Sequence, residues 1–133
     1  MSQEILFRDA VDELRARGSR FAREAYVFVV AALGETVRQL PADRLHDPQR
    51  RHLSGQELTS GVIHIARDEF GGLAPVVFRE WGVHRTEDIG AIVFELVEAG
   101  HLSARPEDRP EDFVTGIDLP AALAAPTGIA WPG

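Results

Sequence analysis

The sequence predicts a mainly α-helical single domain of five helices, with a candidate C-terminal two-stranded hairpin of the winged-helix kind. Three observations predict it. Apolar residues recur three and four apart in five separate stretches. Start and stop signals bracket those stretches, with Ser54 and Glu57 or Thr86-Glu87-Asp88 at starts and Pro41, Gly71-Gly72, Gly82 and Gly100 at stops. The candidate strands, His101 to Ala104 and Phe113 to Ile117, come only after the last helix. A chain of 133 residues fits one domain; residues 1–118 are assigned to it, and residues 119–133, with their Pro, Ala and Gly, to a C-terminal tail.

Taken in order, Ile5, Ala10, Val11 and Leu14 form the buried stripe of a first helix that Gly18 can stop. Ser19 is a candidate N-cap for the second. There Phe21, Ala25, Phe28 and Ala32 share one side while Val29, Leu33, Val37 and Leu40 widen it, until Pro41 ends the helix. Residues 41–51 read as a connection with a turn near Leu45 to Pro48. It gathers Arg44, Arg50 and Arg51 near His46 and His52, a local anion-binding candidate whose competing reading is a solvated loop paired to Asp43 and Asp47.

Ser54 with Glu57 is a capping box for a third helix from Gly55 to Phe70, carrying Leu58, Val62 and Ala66. A short fourth helix places Leu73, Val77 and Trp81 one turn apart, and Gly82 is its stop. In the fifth, Ile89, Ile92, Val93, Leu96 and Val97 form the clearest stripe of the chain. Beyond Asp118 at most one helical turn is expected, with Trp131 docked on the body or engaged by another chain. There is no convincing internal repeat.

Cysteine is absent, which removes disulfides, thiolate metal sites and cysteine nucleophiles together and is compatible with a cytoplasmic location. The apolar run Tyr26 to Leu33 is far short of the roughly 20 residues that span a bilayer, so no membrane partner is expected. A net charge of -7, from 21 acids against 14 arginines with no lysine, opposes attraction to a phosphate backbone. Two helices around Gly82 followed by a hairpin is the order of a winged helix. However, Thr86 to Leu102 holds Glu87, Asp88, Glu95 and Glu98 and no cation to contact a groove, so nucleic acid is an unfavoured partner.

His52-Leu53-Ser54-Gly55-Gln56-Glu57-Leu58, Phe70-Gly71, Trp81-Gly82, Thr86 through Phe94 and Glu111-Asp112-Phe113 together resemble an uncharacterised bacterial family first noticed in Verrucomicrobia and Planctomycetes. The resemblance covers roughly residues 5–118 and departs after Ile117. It implies a small soluble protein with no assigned activity and no catalytic residues.

Metal chemistry would centre on Glu57, His64 and Asp68, since His64 and Asp68 are one turn apart and Glu57 lies seven residues earlier. The competing reading makes Glu57 a cap and the other two a solvated pair. Ser54 and Ser60 lie in no nucleophile-elbow pattern, and Gly71-Gly72 has no Walker lysine. No cofactor is expected. Arg51, His52, Trp81, His84 and Arg85, at two corners of the helical frame, and Trp131 in the tail are the candidate contacts for a ligand or partner. The leading expectation is a non-enzymatic protein-interaction or scaffold module of unknown pathway, self-associating where its partner is a second copy. The alternatives are a small metal-dependent or acid-base enzyme and a winged-helix-like nucleic-acid binder.

Overall fold

The structure, a computed structural model, describes residues 3–125. Its helices are α1 (Gln3–Ala16), α2 (Arg23–Arg38), α3 (Ala42–Leu45), α4 (Gly55–Phe70), α5 (Ala74–Glu80), α6 (Thr86–Glu98) and α7 (Leu119–Ala124), with 3₁₀ turns at Gly71–Leu73 and Pro110–Phe113. The mainly helical class is as expected. The five expected helices correspond to α1, α2, α4, α5 and α6, and the short α3 and α7 are additional. No described helix is long and apolar enough to cross a membrane.

The stripes meet in one core. Phe21, Tyr26, Val62, Ile63, Ile89, Ile92 and Leu96 are each at most 1% exposed. Helices α2 and α4 pack closely at Gly61, where a β-carbon would stand 2.1 Å from Thr36 Oγ1. Glycine costs a helix interior about 1 kcal/mol, yet here it is what lets the two backbones come together. Thr36 turns its hydroxyl inward along its own helix, donating to the Ala32 carbonyl at 2.7 Å.

The expected capping box of α4 is formed: Glu57 N donates to Ser54 Oγ at 3.1 Å and Ser54 N to Glu57 Oε1 at 2.9 Å. Ser19 does not cap α2, which starts four residues later at Arg23; its hydroxyl instead meets the buried Tyr26 hydroxyl and accepts from Phe21 N at 3.3 Å. At the start of α6 the acid that matters is Asp88, 3% exposed, which accepts from His84 N at 2.8 Å and Arg85 N at 3.1 Å and pairs with Arg20.

The hairpin is a correction. Among the described residues there is no strand, so the winged-helix addition is not formed. The segment between the two expected strands is tied up locally, with Arg105 N donating to Asp108 at 2.7 Å and Arg109 N to Asp112 at 3.0 Å, and short side chains that bond nearby amides compete with a hairpin. Phe113 is buried against α6, and its carbonyl accepts from Thr86 Oγ1 at 2.6 Å rather than from a partner strand. The chain then enters α7, capped by Asp118 through Ala121 N at 3.1 Å. This is longer than the single turn expected after Asp118. Leu119, Ala122 and Leu123 belong to the core, so the beginning of the segment assigned to a tail is packed.

Candidate functional site

Where α2 and α6 lie side by side, Leu33 and Val37 of the first and Val93, Phe94 and Val97 of the second are only partly buried. Their helices continue the apolar stripe past the point where another helix covers it. Two loops, 48–55 and 102–113, border the gap without filling it, leaving a cleft of about 410 Å³. Leu58, Leu102 and Phe113 complete its apolar lining, and Arg51, His52, Arg105, Asp108, Arg109 and Asp112 line its polar side.

The loops are tied across this cleft. His52 Nε2 lies 2.7 Å from Asp108 Oδ2, each side chain about a quarter exposed. The same oxygen accepts from Arg105 N, and the Arg105 guanidinium donates to the Gln49 carbonyl. Behind the first loop, Arg44 grips both Glu57 oxygens at 2.5 and 2.8 Å and donates to the His52 carbonyl at 3.1 Å. The Arg44 guanidinium, assisted by the Ser54 amide and hydroxyl against the effect of burial, holds the Glu57 carboxyl down at about 2. The loop that presents Arg51 and His52 is therefore anchored to the first turn of α4.

Of the described residues expected to make contacts, Arg51 and His52 reach the cleft, and Trp81, His84 and Arg85 do not. Trp81 closes an aromatic cluster with Phe28, Phe70 and Phe78, with ring centroids 5.5 to 5.7 Å apart. His84 and Arg85 are exposed at the start of α6 and line no part of the cleft. Trp131 lies outside the described residues. Glu57 is occupied by Arg44, while His64 and Asp68 stand exposed on α4. Among the described residues no group of three or more His, Cys, Asp or Glu could hold a metal ion, so the Glu57, His64 and Asp68 set does not assemble. The arginine cluster is also divided: Arg44 goes to Glu57, Arg50 faces Asp43 at 3.5 Å, and Arg51 has no ion-pair partner among the described residues.

Arg105, Asp108 and Arg109 were not among the expected contacts. Their signal is a short repeat, Arg105-Pro106-Glu107-Asp108 followed by Arg109-Pro110-Glu111-Asp112, with a cousin at Arg85-Thr86-Glu87-Asp88. In all three the Asp carboxylate accepts from the backbone amide of the Arg three residues earlier. In the two later copies this turn also sets an arginine beside the cleft.

No family model, curated protein or solved structure matches this chain. The case for a site therefore rests on its own geometry.

Proposed function

We propose that the chain is a non-enzymatic protein-interaction module whose cleft takes an apolar segment of a partner. The observation that carries this reading is the row of half-buried side chains, Leu33, Val37, Val93, Phe94, Val97 and Leu102, along one preformed depression. A contiguous apolar surface with a polar rim is the usual anatomy of a recognition site. Support for binding rather than turnover comes from the polar groups, several of which already serve as caps or ties: Ser54 and Asp112 hold amides, and Asp108 holds both His52 and an amide.

Peptide display on the purified chain tests this reading. Enriched sequences should share at least one large aliphatic or aromatic residue and bind as soluble peptides. A selection that converges on nothing would count against it. Concentration-dependent mass in sedimentation would point to a second copy of the chain as the partner. A cytoplasmic location belongs to the same proposal and rests on the cysteine-free composition.

One observation favours a second reading, acid-base chemistry at His52, because an imidazole held by a carboxylate beside an apolar cleft is a common catalytic arrangement. Turnover of a panel of acyl esters, abolished by His52→Gln, would support it; no turnover by the parent protein would remove it.

The bacterial-family resemblance is proposed as one of fold. Its support is that the residues carrying it do structural work: Ser54 and Glu57 cap α4, Gly55 passes close to the Asp112 backbone, and Gly82, at a φ of +83°, passes the Arg20 carbonyl.

A further inference from the structure

We infer that the mouth of the cleft reads an acidic group, so that the protein segment it takes carries a carboxylate next to a large apolar side chain. This rests on the peptide-binding reading above and adds the chemistry of recognition. Arg51 and Arg109 both line the cleft, both are exposed, and neither has an ion-pair partner among the described residues. Arg17, Arg20, Arg23, Arg38, Arg44, Arg50 and Arg85 each face a carboxylate; of the arginines that line the cleft, Arg105 donates to the Gln49 carbonyl, which leaves Arg51 and Arg109 to face a ligand there. The two acids that line the cleft already hold other groups. Asp108 is held by His52 and the Arg105 amide, and Asp112 accepts from the backbone amide of Arg109 itself.

A guanidinium offers paired donors that match a carboxylate. The overall charge of -7 disfavours a strongly acidic partner at long range. At physiological salt, however, charges beyond about 8 Å are largely screened, so the local arginines dominate for an acid held at the mouth. A cleft of about 410 Å³ is near the small end of the roughly 300–1,000 Å³ range of ligand pockets. It suits one or two bulky side chains of an extended segment, with the acid beside them, better than a whole helix.

The test is an NMR titration of the ¹⁵N-labelled full chain with three probes: a blocked Gly-Leu-Phe-Asp-Gly peptide, its counterpart with Asn for Asp, and octanoate. The Asp peptide should shift amides in 51–55, 93–97 and 102–113 and bind about fivefold tighter than the Asn peptide at about 0.15 M ionic strength. The Arg51→Gln, Arg109→Gln double variant should bind the two peptides equally, and the corresponding double Lys variant should regain part of the preference. Equal binding by the parent chain would overturn the acid-reading inference while leaving the cleft as an apolar-segment site. Shifts from octanoate with none from either peptide would overturn both, assigning the cleft to small amphipathic carboxylates. No shifts from any probe would also overturn both.

Discussion

The ring of Phe113 occupies the space that a β-carbon on Gly90 would need: such an atom would stand 2.7 Å from the ring. This contact seats the 3₁₀ turn Pro110–Phe113 on α6 and so fixes one wall of the cleft. Alanine at position 90 would gain about 1 kcal/mol of helix propensity but must displace a ring that is only 4% exposed, and overpacking costs about 1–3 kcal/mol. Gly90→Ala is expected to lose up to about 2 kcal/mol in urea unfolding, with the loss reduced in a Phe113→Leu background. A more stable Gly90→Ala protein would show that the ring yields freely.

Asp88 and Arg20 form an unequal pair. The carboxylate is buried and also accepts two backbone amides, whereas the Arg20 side chain is 62% exposed. Removing the acid takes the acceptor from two amides at the start of α6; removing the base leaves those amides satisfied. Asp88→Ala should therefore cost about 2–3 kcal/mol, and Arg20→Gln about 1 kcal/mol or less. Equal losses in thermal or chemical unfolding would mean that the ion pair, rather than the capping of α6, carries the energy.

Glu57 gives a pH signature. Its carboxyl falls from 4.5 to about 2 on folding, chiefly through Arg44. A depressed carboxylate contributes stability that is fully present above pH 4.5 and lost as pH falls toward 2. Because the Glu57 side chain is 37% exposed, screening reduces that contribution to about 1–2 kcal/mol. Glu57→Gln should lose this amount at pH 7 and show a flatter stability profile between pH 4.5 and 2. A profile parallel to the parent's would exclude Glu57 as the linked group.

Tyr26 is the only tyrosine of the chain, so its ionisation can be followed directly by ultraviolet absorbance. Burial first, then the hydrogen bond to Glu95, pushes the phenol well above its ordinary value of 10.0. A raised value means that the neutral phenol's contribution is full below pH 10 and lost as pH rises through the folded value. The native protein should show no tyrosinate near pH 10 and should ionise only on alkaline unfolding, which Tyr26→Phe should delay. A reversible midpoint near 10 in folded protein would contradict the buried contact.

The helical frame was legible because its signals are local. Ser54 and Glu57 cap one helix by themselves, and Ile89, Ile92 and Leu96 announce a face by spacing alone. The failures come from competition that spacing does not record. Phe113 to Ile117 has the composition of a strand, but Asp108 and Asp112 claim the nearby amides and Gly90 offers Phe113 a socket. The cleft was half legible. Arg51 and His52 stand out by type and position, while Asp108, the partner of His52 from 56 residues away, lies between the two expected strands. The Arg-Pro-Glu-Asp repeat could have flagged it. Glu57, His64 and Asp68 share a helix, but Arg44 arrives from another element and takes the first of them.

The most direct measurement is the affinity of a display-selected peptide for two single variants of the full chain, each matched to the parent by thermal unfolding. Val97→Arg places a charge in the cleft, whereas Val76→Arg places one on the exposed face of α5, where Val76 is 43% exposed and lines no part of the cleft. If the cleft is the binding site, Val97→Arg should weaken the peptide at least about tenfold, the effect of burying an unpaired charge, and Val76→Arg should leave it unchanged. Unchanged binding by Val97→Arg, with or without a loss at Val76, would contradict the assignment of the cleft.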